Sequence, residues 1–283
     1  MISVLEAINA AKTELAYHHK PVNEAELLMM HALGCKRMEL YLNHKKIMEQ
    51  SPYDSFMSYI ERRKNHEPLS YIIGQRPFYK SFFKVTPETF IPRSESELLV
   101  EKAVSYLTNQ VLGEVRLLEI GTGCGAISIS IAKEMPCTRI DATDISSSAL
   151  KVAKENALIH HCESQIQFFH GDLYEALPKD AKYHLIVCNP PYIPSERIPS
   201  LDKEVIAEPA NALDGGFLGL DIIFRLISGA LHWMHQKALL LFEIDGAMQI
   251  PYITAMMRKH HFRSVFWEKD MSGLPRIVGG YYQ

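Results

Sequence analysis

The chain has 283 residues, 47% of them apolar and 22% charged, with a formal net charge of −3. That material fills one large or two modest cores, and in the mildly acidic balance no strongly basic face advertises nucleic acid. Cys35, Cys124, Cys137, Cys162 and Cys188 include no C-x-x-C pair, and no apolar run is long enough for a membrane span. Neither a disulfide framework nor a zinc site nor a membrane protein is expected, and a reducing cytoplasm is the simplest compartment. The amino terminus carries Glu6 and Lys12 early and is not read as a signal peptide.

Apolar Val4, Leu5, Ile8, Ala11 and Leu15 recur at helical spacing from Ser3 to about Tyr17. A second helix fits Asn23 to Leu33, with Asn23 as its cap, Glu26 three residues on and Gly34 as its stop. Helical pattern continues through Met38 to Leu42 and from Ser51 to about His66. Residues 1–74 thus read as a small helical bundle, with Lys45-Lys46 and Arg62-Arg63-Lys64 as solvated faces. Leu69 to Pro92 is rich in aromatics and broken by Gly74, Pro77, Pro87 and Pro92, and Phe82 to Thr86 can be a strand. A hairpin-like connector over 75–92 follows, whose aromatics either pack between domains or wall a pocket.

From residue 93 the rhythm alternates. Helix Ser94 to Thr108 precedes strand Val115 to Ile120, helix Gly125 to Met135, strand Thr138 to Thr143, helix Ser146 to His160 and strand Gln165 to His170. Strand Tyr183 to Cys188, helix Gly219 to His235 and strand Lys237 to Ile244 complete the alternation. The order predicts an α/β domain over 93–283 with a mostly parallel sheet. Phe262 to Glu268 and Ile277 to Tyr282 have only a loop between them and suit an antiparallel edge.

The strand ends carry the chemistry. The first runs into Gly121-Thr122-Gly123-Cys124-Gly125, a turn whose glycines allow close approach to a ligand at a helix N-terminus. The second ends at Asp144, placed to accept from ribose hydroxyls. The third ends near Asp172-Leu173, an acceptor for an amino group beside an apolar packing surface. The fourth ends at Asn189-Pro190-Pro191-Tyr192. There the Asn189 amide and the backbone carbonyls of a rigid Pro-Pro pair offer acceptors to a planar NH2 group, and Tyr192 offers a flat ring. Each acid alone reads equally as a helix cap; four strand ends in series favour a nucleoside ligand. His170 and His184 read as structural. His232 and His235 share a predicted helix face, but two ligands make no catalytic zinc site and no metal is required.

These motifs resemble the S-adenosylmethionine-dependent methyltransferases that act on planar amino groups. Phe90-Ile91-Pro92-Arg93 with Glu95 and Glu97, Asn189-Pro190-Pro191-Tyr192-Ile193, the run from Glu208 to Asp221, and Asp270, Gly273 and Arg276 resemble more closely one bacterial family. Its members methylate the glutamine in the Gly-Gly-Gln motif of class I peptide chain release factors. The resemblance implies a Rossmann-like class I methyltransferase domain with a seven-stranded sheet, an N-terminal helical substrate-recognition domain, and S-adenosyl-L-methionine as cofactor, with S-adenosyl-L-homocysteine as product. It implies catalytic roles for Asn189, Pro190 and Tyr192, substrate contacts from those residues with Pro191, Phe90 and Arg93, and cofactor contacts from Gly121, Thr122, Gly123, Cys124, Gly125, Asp144, Asp172, Leu173 and Asn189. A cytoplasmic monomer with a protein substrate and no direct nucleic-acid contact is expected. The chain departs from the family pattern at Ser94 (usually proline), Ser96 (usually threonine) and Leu173 (where relatives carry an aromatic). Methylation of a ribosomal-protein glutamine, methylation of an adenine amino group in DNA or RNA, and a non-catalytic cofactor-binding scaffold are the alternatives.

Overall fold

The structure, a computed structural model, describes residues 2–109 and 115–283. The chain divides into two compact units, Met1–Gly74 with Asp202–Ala207 and Gln75–Leu201 with Glu208–Gln283.

The first unit is helical: α1 (Val4–Tyr17), α2 (Glu24–Leu33), α3 (Arg37–Asn43), α4 (Gln50–Lys64) and α5 (Leu69–Ile73). Helix α1 starts at a capping box in which the Ser3 hydroxyl accepts from the Glu6 amide and the Glu6 carboxylate accepts from the Ser3 amide at 2.8 Å. Its stripe of Val4, Ala7, Ile8, Ala11 and Leu15 packs with Leu28, Met29, Leu40, Phe56 and Ile60. Asn23 does not cap α2: its backbone is already helical and its side chain makes no cap bond. The short α5 lies inside the expected helical bundle but was not anticipated as an element, because its five residues are too few to show a period.

In the second unit, β1 (Gln75–Phe78) and β2 (Ser81–Lys84) pair as an antiparallel hairpin. Helix α6 (Glu97–Thr108) is followed by β3 (Val115–Ile120), α7 (Ala126–Glu134), β4 (Thr138–Asp144), α8 (Ser147–Ile159), β5 (Ile166–His170) and β6 (Tyr183–Cys188). The single turn α9 (Lys203–Ile206) falls in the segment that belongs to the first unit. There Glu204 pairs with Lys20 at 2.6 Å and with Arg63 at 2.8 Å. Arg63 also pairs with Glu24 at 2.5 Å and is 2% exposed, so it is no part of a solvated face. A charge this buried persists because carboxylates surround it.

The chain then returns through α10 (Asp221–Ala230), β7 (Met234–Glu243), α11 (Ile250–Lys259), β8 (Phe262–Lys269) and β9 (Pro275–Tyr282). Among the described residues seven strands form one sheet in the order β5-β4-β3-β6-β7-β9-β8. The pairs from β5 to β7 are parallel, and β9 runs antiparallel to both β7 and β8. This is the mostly parallel sheet with an antiparallel edge that the alternation predicts.

Two local expectations are corrected. The helix before β7 ends at Ala230, so His232 lies in a 3-10 turn and His235 on a strand. Helix α11 was not anticipated, because only Ile253 and Met257 form its buried stripe and Pro251 stands in its first turn, where proline is tolerated.

Buried Asn156 on α8 ties the hairpin to the loop after β3. Its oxygen accepts from the Lys84 amide at 2.8 Å, and its nitrogen donates to the carbonyls of Lys84 at 2.9 Å and Cys124 at 2.8 Å. Asn156→Ala leaves a buried donor and two acceptors unpaired, and is expected to lower the unfolding free energy by about 2–4 kcal/mol in urea titration. Asn156→Asp does no better, because its second oxygen faces the two carbonyls.

Candidate active site

The crossovers from β3 through β4 to β5 build the sheet to one side, and β6 then pairs with the other edge of β3. Ligands in open α/β sheets bind at the carboxyl ends of strands where the order reverses in this way. Register pairs Ile120 with Cys188, so the loops beginning at Gly121 and Asn189 leave the sheet side by side. A Cβ built on Gly121 would have the Asn189 carbonyl oxygen as its nearest neighbour, at 3.9 Å.

Both loops open into one cavity of about 330 Å³, inside the size range of small-molecule sites. Gly121, Thr122, Gly123, Cys124, Asp144, Asp172, Leu173, Asn189, Pro190, Pro191, Tyr192 and Phe90 all line it. Phe78 lines it too, so part of the aromatic connector walls a pocket, while Phe83 packs edge-on against Phe78 at 6.0 Å between ring centres. Gly125 and Arg93 are not on the lining. Gly125, at φ 83, starts α7, and its missing Cβ leaves room for Ile129 and Ala153. The Arg93 guanidinium binds the Glu208 carboxylate, which also accepts from the Ile91 amide at 2.9 Å, and lies 4.8 Å from the Phe90 ring centre. Arg93 therefore supports a wall of the cavity.

Three acids shape the cavity. Asp144 accepts from the Gly123 amide at 2.7 Å and the Ser146 amide at 2.8 Å, and burial pushes its carboxyl above the usual range. Asp172 pairs with Arg225 at 2.6 Å, so one oxygen of that proposed amino-group acceptor is occupied. Leu173 takes the left-handed backbone conformation, at φ 49. Glu119 accepts from the Thr122 hydroxyl at 2.6 Å and from the Ser128 amide at 3.1 Å and hydroxyl, and burial pushes it up to about 7. Burial also holds the Cys124 thiol up at about 12, so it stays protonated.

Sequence reasoning missed three residues. The Asn189 side-chain nitrogen donates to the Ser96 hydroxyl at 3.0 Å, Ser96 donates to Glu243 at 2.6 Å, and the Tyr192 hydroxyl donates to Glu243 at 2.8 Å. Gln249 donates to the carbonyls of Tyr192 at 3.0 Å, Leu218 at 3.0 Å and Gly219 at 3.2 Å. Glu243, standing at the end of the next strand, was the one position that carried a signal. Ser96 stood out only as a departure from the family pattern, and Gln249 carried no signal, since polar residues outside strand ends are common.

Residues 6–74 match the family described as PrmC N-terminal domain, and residues 95–220 match the methyltransferase small domain. The release factor glutamine methyltransferase of Coxiella burnetii is 36% identical over 279 residues, covering 98% of this chain and 98% of that protein. The protein of the same name from Vibrio cholerae is 34% identical over 288 residues, covering 100% of this chain and 98% of its own. The chain belongs to the release factor glutamine methyltransferase family.

More distant structures share the fold alone. The human methyltransferase 10 domain containing protein superposes with a TM-score of 0.55 at 14% identity, covering 71% of this chain and 88% of that one. A Pyrococcus furiosus methyltransferase reaches 0.50 at 14% identity, with coverages of 70% and 87%.

In this glutamine methyltransferase the folded state holds the Glu119 proton more tightly than the unfolded chain, whose value is the ordinary 4.5. The stabilising contribution of that group is full below pH 4.5 and is lost as pH rises to about 7. Glu119→Gln removes the linkage. The unfolding free energy of the parent minus that of the variant is expected to fall between these pH values, by on the order of 3 kcal/mol at most, and to stay level above them. Urea unfolding of both proteins across that range measures it.

Proposed function

We propose that this enzyme transfers a methyl group from S-adenosyl-L-methionine to the side-chain amide nitrogen of the glutamine in the Gly-Gly-Gln motif of class I peptide chain release factors. The carrying observation is that the tetrapeptide Asn189-Pro190-Pro191-Tyr192 and the turn beginning at Gly121 face a single cavity from adjacent strand tips. Family membership supports the substrate. No helix among the described residues is long and apolar enough to cross a membrane, in keeping with work on a translation protein in the cytoplasm.

The lining fits the cofactor. A Cβ at Gly123 would meet nothing within 4 Å, so the turn has open space on its ligand side. The Asp144 carboxylate stands at the next tip to accept from hydroxyl groups, and Ile145 and Leu173 give apolar surface for a flat ring. Gly121, Thr122, Gly123, Cys124, Asp144, Asp172, Leu173 and Asn189 would hold it, with Gly125 shaping the turn. When bound, it supplies an electrophilic methyl group.

The chain's own residues prepare the nucleophile. An amide nitrogen is weakly nucleophilic because its lone pair is delocalised into the carbonyl. The Asn189 side-chain oxygen and the Pro190 carbonyl would accept its two hydrogens, so fixed dipoles face the positive charge that develops on nitrogen. Neither Pro190 nor Pro191 has an N–H to compete for those acceptors, and their rings stiffen the loop. Tyr192, held by Glu243, and Phe90, backed by Arg93, wall the amide and keep water away. Alignment of two bound reactants is the main source of rate, a contribution that reaches roughly 7–11 kcal/mol. The first unit is assigned to gripping the release factor.

Incubation with methyl-labelled cofactor and purified release factors tests this reading. Label is expected on the factor and absent after Gln→Ala in its acceptor tripeptide; label that persists there, or that moves to nucleic acid, overturns the reading. Asn189→Ala is expected to keep cofactor binding, weakened at most by the loss of one contact among several, while transfer falls by about 100-fold or more.

A further inference from the structure

Asn189 has a problem of polarity. The two ends of its side-chain amide have nearly the same shape, yet only the oxygen can accept a hydrogen from a substrate NH2 group, and a flipped side chain would present hydrogens to hydrogens. The cavity needs something that tells the two ends apart.

The groups around Asn189 supply it. Ser96 closes the 3-10 turn Ser94–Ser96 ahead of α6 and is 2% exposed. Its oxygen lies 2.6 Å from Glu243 and 3.0 Å from the Asn189 side-chain nitrogen. Glu243, the last residue of β7, is 1% exposed, and its other oxygen takes the Tyr192 hydroxyl at 2.8 Å. A serine hydroxyl has one hydrogen. Once that hydrogen goes to the carboxylate, only lone pairs remain for Asn189, so the NH2 end must turn to Ser96 and the oxygen end is left for the cavity that Asn189 lines.

We propose that Glu243, acting through Ser96, fixes the orientation of the Asn189 amide so that its oxygen is presented to the substrate amide, and that both are positioning residues of the transfer reaction. The inference rests on the reading of Asn189 as acceptor for a glutamine NH2 group. Glu243 serves as the chain's terminal acceptor because each of its two oxygens takes a hydroxyl hydrogen, one from Ser96 and one from Tyr192. It also fixes the Tyr192 ring, so one buried acid sets two residues of the tetrapeptide. Ser96 stands where the family usually has threonine, which brings the same single hydroxyl.

The test uses the full chain, methyl-labelled cofactor and a release factor that the parent enzyme methylates. A parent that fails to label the factor rejects the functional reading; the variants judge only the present inference. Glu243→Gln keeps the shape but can give a hydrogen to Ser96, which frees the serine hydrogen to face Asn189 and favours the flipped amide. Ser96→Ala breaks the chain, and Ser96→Thr restores it. Expected are a fall in kcat of about tenfold or more for E243Q and S96A, and a kcat within about threefold of the parent for S96T. The KM for the factor and the Kd for S-adenosyl-L-homocysteine stay within about threefold throughout.

Nitrogen-15 spectra give a second readout, in which the Asn189 side-chain NH2 resonance is expected to shift in E243Q and S96A and to hold its place in S96T. If E243Q does not fold, the serine pair decides the matter alone. A kcat for S96A within twofold of the parent overturns the inference, as does a loss shared equally by S96T or one that appears as weakened cofactor affinity.

Discussion

The parallel pairing of β6 with β3 is the constraint on which the rest of this molecule depends. Chain order alone carries β3, β4 and β5 outward in one direction, and the next strand must cross back to the far edge of β3 for a crevice to open. The backbone ladder from Leu117–Leu185 to Ile120–Cys188 makes that crossing, with both strands buried on the two faces of the sheet. The consequence is chemical. A glycine turn able to cradle a charged ligand and a loop of rigid acceptors leave the sheet as neighbours, so donor and acceptor of a methyl group can share one cavity.

That space is held in shape by buried acids, each satisfied by donors from more than one element. Glu119 gathers Thr122 and Ser128, Asp144 gathers Gly123 and Ser146, Glu208 gathers Ile91 and Arg93, and Glu243 gathers Ser96 and Tyr192. Burial raises the pKa of all four, which means that the fold holds them at some expense in stability. Their return is rigidity, because carboxylates that accept several fixed hydrogens leave the surrounding loops few alternative arrangements. The loop after Pro191 is held in the same way from outside. Gln249 binds three of its carbonyls, and Gly219, at φ 69, lies so close to the Tyr192 carbonyl that no side chain fits between them.

The first unit follows a different logic. Its apolar stripes are ordinary helical ones, but its deepest polar feature is an ionic cluster of Lys20, Arg63, Glu24 and Glu204. Glu204 reaches that cluster from a segment more than a hundred residues away in the chain, just after the loop that carries Tyr192. A helical unit of modest core thereby gains a charged anchor whose loss would strand a buried guanidinium.

Alternation of strand and helix, the strand-end motifs, and those lining residues that stand at strand tips were legible in the sequence, because each depends on local chemistry. A buried strand needs a short apolar run, a close turn needs glycine, and a rigid acceptor loop needs proline. Elements with weak local signatures were not legible: five-residue α5, α11 with its two-residue buried stripe, and the end of α10. Nor did Arg63 announce its burial, since a basic run looks the same whether water or carboxylates surround it.

The sequence by itself determined which side chains stand at the tip of each strand, since a period of two and a proline stop are properties of the chain. Only the tertiary structure decided which tips are neighbours, that Asp172 faces Arg225 and Arg93 faces Glu208, and that Ser96 and Glu243 meet at Asn189. Those contacts join residues up to 147 positions apart. Strand order and crossover direction create them, and no local pattern in the chain encodes either.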